Sequence, residues 1–291
     1  MSCSALAQTQ QQPDDAARAL ERALTREGGL VLAPRTYELE PRFEYSHRRT
    51  EGLDIVTAGG VSQVARRDVK HDRLDASLGL RAGLSNRMHA ELRVPYAFVR
   101  ESEALAGQTG STRHDHGRGD VELGLTKQIA EAGYSRPGVL ASVNWRLPTG
   151  RFELGQPSPG RGFHNVQAAV TVVTRDDPLV LFGSVSYTWV PRRSHDGVEV
   201  NPGDPLGLKL GTILAASPRT SVRGMFELTR AGRTSFGGAH VPGSDTVSAA
   251  LQFGLSMLVT ARSLVDLQIG AGLTPDAPDF TMTLAVPVRF Q

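Results

Sequence analysis

The sequence predicts an all-β fold: a 12-stranded antiparallel up-and-down transmembrane β-barrel with a short N-terminal helix. Three observations carry this expectation. The stretch 280–290 alternates Phe280, Met282, Leu284, Val286, Val288 and Phe290 with Thr281, Thr283, Ala285, Pro287 and Arg289, a period of two that puts the large apolar side chains on one face. A tilted strand of about 9–11 residues crosses a bilayer, whereas strands of soluble sheets are typically about 5–6 residues long. Eleven further two-faced stretches precede this one, and the connections between them alternate long and short. Long extracellular loops with short periplasmic turns give that pattern.

Bulk properties fit. Thirty-two basic against 30 acidic residues in a chain of 291 leave little net charge and no reason to expect a nucleic-acid partner. All basic residues except Lys70, Lys127 and Lys209 are arginine. No run of about 18 apolar residues occurs, which excludes a transmembrane helix but not a barrel, whose alternation dilutes hydropathy.

The chain divides into residues 1–7, 8–35 and 36–291. Ser4-Ala5-Leu6-Ala7-Gln8 has the form of a signal-peptidase site, with cleavage expected after Ala7. Residues 1–7 therefore read as a signal-peptide remnant. Cys3, the single cysteine, would leave with them, and a mature chain without cysteine forms no disulfide. Residues 8–35 form a periplasmic spacer and plug helix. Asp14 and Asp15 open a helical stretch that runs to Glu27, and Gly28-Gly29 close it, ordinary start and stop signals. Leu20 and Leu24 share one side, while Arg18, Glu21, Arg22 and Arg26 keep the rest polar. Such a helix is too short and polar to stand alone and needs a surface to dock on.

The twelve strands are expected at 36–47, 73–83, 87–98, 119–128, 138–148, 163–173, 179–190, 205–215, 221–230, 246–258, 263–273 and 280–290. One face of the third carries Met88, Ala90, Leu92, Val94, Tyr96 and Phe98, and the other His89, Glu91 and Arg93. Lys127 puts a charge on the apolar face but sits at a strand end. There a cation costs close to nothing, against about 2–4 kcal/mol at mid-bilayer. Phe98, Trp145, Phe163, Tyr187, Trp189 and Phe280 mark outer strand ends, and Tyr37 and Phe290 inner ones, as two interfacial girdles would. Pro41, Pro95, Pro148 and Pro287 stand against this reading, since each removes a ladder donor.

The inward set predicts a lumen lined by Glu38, Glu40, Arg42, Glu44, Asp75, Arg81, His89, Glu91, Arg93, Asp120, Glu122, Arg146, Lys209, Arg223, Glu227, Asp266 and Arg289. Both signs are mixed, so many can pair, as buried charge requires. The expected interior is polar and partly occupied by the helix 14–27. Chemistry elsewhere is weak. His114-Asp115-His116 offers metal-ligand residue types but reads as solvated loop, and Arg118-Gly119-Asp120 spells an adhesion tripeptide by chance. No nucleophile-elbow, Cys-x-x-Cys, His-Glu-x-x-His or P-loop pattern occurs. A lipase-like pairing of His164 with a nearby serine is the residual enzymatic option. No catalytic residue, metal or cofactor is expected.

Several motifs resemble one family of proteobacterial outer-membrane proteins. They are Leu20-Glu21-Arg22-Ala23-Leu24, Gly29-Leu30-Val31-Leu32-Ala33-Pro34, Tyr37-Glu38-Leu39-Glu40-Pro41, Leu92-Arg93-Val94-Pro95-Tyr96, Gly119 to Leu125, Leu147-Pro148-Thr149-Gly150 and Gly272 to Phe280. That family holds the meta-pathway phenol-degradation transporters and is related to the export channel for functional amyloid. The resemblance implies a twelve-stranded barrel with a helical segment able to plug it from the periplasmic side. The amyloid exporter carries a long trimerising coiled coil before its plug, and the residues before Gly29 are too few for one.

The expected function is an outer-membrane channel or transporter in a Gram-negative cell, passing small, aromatic or hydrophobic solutes and occluded by the N-terminal helix. An exporter of unfolded or amyloid-type polypeptide and a closed adhesive barrel are the alternatives. Expected partners are outer-membrane lipid, the barrel-assembly machinery and the transported solute or polypeptide, with a homo-oligomer left open.

Overall fold

The computed structural model describes residues 30–290, apart from 59–60, 106–109, 133–135, 154, 177–178, 196 and 261. The signal-peptide remnant and the expected plug helix, with Asp14, Asp15, Arg18, Leu20, Glu21, Arg22, Leu24 and Arg26, lie outside the described residues. Among the described residues every regular element is a strand.

Twelve barrel strands follow one another. They are β1 Tyr37–Ala58, β2 Val61–Ser85, β3 Met88–Leu105, β4 in two pieces (Ser111–Arg118 and Glu122–Ala130), β5 Gly138–Arg146 and β6 Asn165–Asp176. Then come β7 Leu179–Trp189, β8 Pro205–Ser217, β9 Thr220–Ala231, β10 Thr246–Leu258, β11 Leu264–Gly272 and β12 in two pieces, Phe280–Ala285 and Val288–Phe290. Each pairs antiparallel with the next, and both pieces of β12 pair back onto β1, closing the sheet. Tyr37 sits opposite Phe290, so the barrel begins and ends at the same rim, the one with the short turns. At the other rim the loops 190–204 and 232–245 meet in a four-stranded sheet of Arg193–His195, Val198–Asn201, Ser235–Phe236 and Ala239–His240.

Burial is inverted relative to a soluble protein. Phe253 is 58% exposed and Leu181 51%, while Glu40 and Asp266 on the inward face are 1% and 0%. The exposed apolar side chains continue around the wall through Leu78, Val94, Leu125, Val185, Leu210 and Ile269. That belt is far larger than the apolar patch a water-soluble monomer tolerates, and it is the surface hydrocarbon wets. Lys127 and Arg230 are exposed on the same face, each near a strand end, where water reaches them.

The prolines turn out to face breaks in the neighbouring strand. Arg42 pairs with Ala285 and Leu39 with Val288, so Pro41 lies across from the interruption at Val286-Pro287, and the Pro41 carbonyl takes the Val286 N–H at 3.0 Å. Pro95 likewise lies across from the gap between the two pieces of β4, and its carbonyl accepts from Gly119 N at 3.0 Å. Two defects placed opposite one another leave fewer orphan donors than two placed apart. Pro148 falls beyond the end of β5.

Two expected loops are not loops. Residues 48–72 continue β1 and β2 in unbroken register, Arg48 opposite His71 up to Ala58 opposite Val61. Much of 99–118 likewise extends β3 and β4, with Val99 opposite Asp115 and Glu103 opposite Ser111. The physical reason is that these parts stand above the apolar belt with water on both faces, so no alternation marks them. Ion pairs support the ladder instead: Arg67 with Glu103 at 2.7 Å, Arg113 with Glu101 at 2.8 Å and Arg49 with Asp68.

A charge test follows from the belt. Ile269 lies midway along β11, paired with Phe253 and Met282, whereas Leu206 is at the outer end of β8, beside Tyr187. Ile269→Arg is expected to cost about 2–4 kcal/mol and Leu206→Arg no more than about 1 kcal/mol, measured by guanidinium unfolding from lipid vesicles. Equal costs at the two positions would contradict the membrane placement.

Candidate functional site

The lumen changes character along its axis. At the inner rim, inward positions of five consecutive strands carry Leu140, Val173, Val180, Phe182, Ile213 and Met225, which pack as one buried cluster with Val31. Leu30 leans on the same cluster, and Leu32 is 1% exposed. The segment before β1 therefore runs inside the barrel. It enters through a tight turn: Thr36 N donates to the Ala33 carbonyl at 3.2 Å, and Arg35 takes a φ of 61°. Gly83 receives this turn, donating to the Thr36 carbonyl at 2.9 Å and accepting from Arg35 N at 3.1 Å. A Cβ on Gly83 would overlap the Ala33 carbonyl, so only glycine admits the segment there. Further in, Leu32 N donates to His89 Nδ1 at 3.4 Å.

Beside this apolar floor stand two charge clusters. In the first, Arg81 donates to Glu38 at 2.8 Å and to Glu91 at 3.0 Å and lies 3.3 Å from Glu40. Arg93 reaches Glu91 at 2.7 Å and Glu40 at 3.4 Å, and Arg289 reaches Glu38 at 2.7 Å. Three carboxylates thus meet three guanidiniums, which leaves the cluster near neutrality. In the second, Arg223 forks onto Asp266 with two bonds of 2.8 Å and donates to Gln268 at 2.7 Å. Ser256 Oγ also donates to Asp266. Gly254 makes the room, since a Cβ there would collide with the Arg223 guanidinium.

Outward of the floor the lumen opens into two chambers of about 270 and 650 Å³. They share Glu91, Asn144, Gln167, Thr188 and Glu227 in their walls and so adjoin one another. The smaller is lined on one side by hydroxyls and amides, including Thr126, Ser142, Thr171, Ser184 and Ser186, and also by Arg81, His89 and Lys209. The larger is lined by Arg42, Glu44, Arg73, Asp75, Arg93, Asp120, Glu122, Arg146 and Arg161. Arg146 is paired with Glu122 at 2.7 Å, and Arg73 with Asp75 at 2.6 and 2.9 Å.

The loop 147–164 folds over the mouth and is clamped. Asp120, buried in the break of β4, accepts from Gly150 N at 3.0 Å and Arg161 N at 2.7 Å. One carboxylate thereby holds both stems. The stems touch back to back, since a Cβ on Gly150 would come within 2.8 Å of Gly160. Arg73 donates to the Pro159 carbonyl at 2.9 Å from below.

Of the inward residues expected from the sequence, Glu38, Glu40, Arg81, Glu91, Arg93 and Arg289 meet in the first cluster, and Arg223 and Asp266 in the second. Arg42, Glu44, Asp75, Asp120, Glu122 and Arg146 line the larger chamber, Lys209 and His89 the smaller, and Glu227 both. Sequence reasoning missed Arg73, Arg161 and the apolar floor. Arg73 and the floor residues do sit at inward parity, whereas nothing periodic marks a loop residue such as Arg161. The readings set aside from the sequence find no support either. His114 and His116 alternate with Asp115 on an extended strand, Asp115 holds Arg151, and His116 stacks on Phe98 at 5.9 Å. No group of three or more metal-ligating side chains forms among the described residues. Gly119 and Asp120 are buried, so the tripeptide is not displayed. His164 accepts from Trp145 Nε1 at 3.3 Å in the outer girdle, and among the described residues no hydrogen bond joins it to a serine.

A closed sheet of twelve strands, wetted by hydrocarbon outside and polar within, defines a bacterial outer-membrane β-barrel. The chain belongs to the family described as "Putative MetA-pathway of phenol degradation", which matches residues 66–290. Its fold is similar to that of an outer membrane channel from Pseudomonas putida F1, at 16% identity and a TM-score of 0.69, covering 90% of this chain and 97% of that one. It is also similar to the transport unit of the autotransporter AIDA-I from Escherichia coli, at 10% identity and a TM-score of 0.50, covering 96% and 99%.

The Arg223–Asp266 pair, 2% and 0% exposed, gives a second test. Asp266→Ala strands a buried guanidinium and is expected to cost about 3–5 kcal/mol. Combining Arg223→Met with Asp266→Leu removes both charges and should recover most of that loss. Guanidinium unfolding of the two variants checks the difference.

Proposed function

We propose that the protein is an outer-membrane channel for small solutes that carry a polar group on an aromatic or apolar body, closed at its inner end by the segment preceding β1. One observation supports this above the others. Ser142, Thr171 and Ser184 in the wall of the smaller chamber stand two positions from Leu140, Val173 and Phe182 of the apolar cluster that holds Val31, and Leu32 is buried next to Val31 in the chain. An apolar constriction stops ions by excluding water, and withdrawal of two side chains would widen it. Leu32 N meets His89 only at 3.4 Å, long for a hydrogen bond, so apolar contact rather than strand pairing holds the segment. A phenolic solute suits such a path, its hydroxyl served by the Ser, Thr and Asn wall and its ring by the floor. The family description points to the same chemistry.

Single-channel recording in planar bilayers tests this. The intact chain is expected to give small, interrupted currents, and deletion of residues 8–32 a several-fold larger and steadier conductance. Gly83→Val, which pushes on the Ala33 carbonyl, should give an intermediate rise. Loaded liposomes should pass phenol faster than a sugar of similar size. Absence of current from the deletion variant, with the barrel shown to be folded, would refute the reading.

A further inference from the structure

Five arginines and six carboxylates line the larger chamber; Arg42 stands 3.7 Å from Glu44, and three of the other four arginines are tightly paired. Arg73 is bound by Asp75, Arg146 by Glu122 and Arg93 by Glu91. Arg161 alone among these arginines has no carboxylate or carbonyl on its guanidinium among the described residues, although its side chain lines the chamber and is exposed. Its backbone is fixed on both sides: its own N–H is held by Asp120, and the following Gly162 carbonyl accepts from Arg193. Gly162, at a φ of 75°, lies against the Phe152 ring, which packs edge-on to Phe163 at 5.8 Å. Arg161 therefore stands on a rigid platform rather than a free loop.

We propose that Arg161, with Arg146 beside it, forms an oxyanion subsite in the outer chamber, the first station for a solute bearing a carboxylate or a phosphate. A planar guanidinium binds either group through paired, charge-assisted hydrogen bonds. An open guanidinium in a partly enclosed space is the group that gains most from such a ligand. The electrostatics agree with the geometry. Repulsion from Arg146, then enclosure, then repulsion from Arg73 push Arg161 down to about 10, so it stays charged at neutral pH in a place where an anion would relieve the strain. The subsite refines the channel reading by adding a negative group to the preferred solute, yet it requires only that the outer chamber be reachable from water.

Binding is therefore read without passage. The purified full chain in detergent is titrated by calorimetry with benzoate, inorganic phosphate and benzyl alcohol, alongside Arg161→Gln and Arg161→Lys. One saturable site for benzoate or phosphate is expected, weakened at least about tenfold in Arg161→Gln and less in Arg161→Lys, with benzyl alcohol showing none. Benzoate alone binding identifies a carboxylate-bearing solute, phosphate alone a phosphorylated one, and both a general oxyanion site. Equal binding by Arg161→Gln, equal binding of benzyl alcohol, or no binding at all would overturn the proposal. Intact binding in a barrel that never conducts would instead remove the channel reading and leave the subsite standing.

Discussion

Hydrocarbon accepts no unpaired backbone group, and that constraint shapes the rest of the molecule. A sheet that must satisfy every donor internally has to close on itself. Here closure runs through β12 and β1, whose ladder is interrupted at one place, where Pro41 and Pro287 face each other. Closure with twelve strands has a second consequence. About eight strands make an interior that side chains alone can fill, so twelve leave a wider lumen that something else must occupy. In this chain the filling is layered: an apolar floor with the N-terminal segment in it, paired charges, adjoining water-accessible chambers, and a folded-in loop at the mouth.

Inward charge follows from the same geometry. With the outer face committed to lipid, polar side chains have only the lumen to face, where each unpaired charge is expensive. The near-neutral six-membered cluster around Arg81 and the doubly bonded Arg223–Asp266 pair are the result, and both lie toward the inner half. Mouthward, Arg146–Glu122 and Arg73–Asp75 stay as tight, at 2.7 and 2.6 Å, while Arg42–Glu44 is held at 3.7 Å.

The membrane-spanning part was legible in the sequence because two solvents imprint a period of two. Leu92, Val94, Tyr96 and Phe98 against Glu91 and Arg93 could be read as a strand with its faces assigned, and the twelvefold count came from repeating that reading. Where both faces meet one solvent the imprint vanishes. Residues 48–58 and 61–72 carry charge on either side, so their long hairpin looked like loop. The floor was hidden for the opposite reason: Val173, Val180 and Phe182 are apolar at positions whose neighbours along the strand are also apolar, and a strand apolar on both faces shows no alternation. Asp120 and Arg161, 41 residues apart, come together only through the folded loop, a contact no local pattern announces.

The two insertions that narrow the lumen differ in how they are held, and this bears on which end can move. At the mouth, Asp120 grips both stems of the loop 147–164 while Arg73 and the Gly150–Gly160 contact brace it from other sides. Displacing it would break several bonds to buried or partly buried groups at once, each costly to leave unmade. At the floor, the turn at 33–36 is pinned to Gly83, but beyond it Val31 rests on apolar side chains and the Leu32 N–H on one long hydrogen bond to His89. Apolar contacts can be given up in favour of another apolar body, whereas a gripped carboxylate cannot be satisfied by one. A solute with an apolar ring arriving from the chambers is such a body, and it could replace Val31 against Phe182 and Met225 without leaving that surface bare. On the channel reading proposed above, the mobile end of this barrel is the inner one, and the solute itself is part of what opens it.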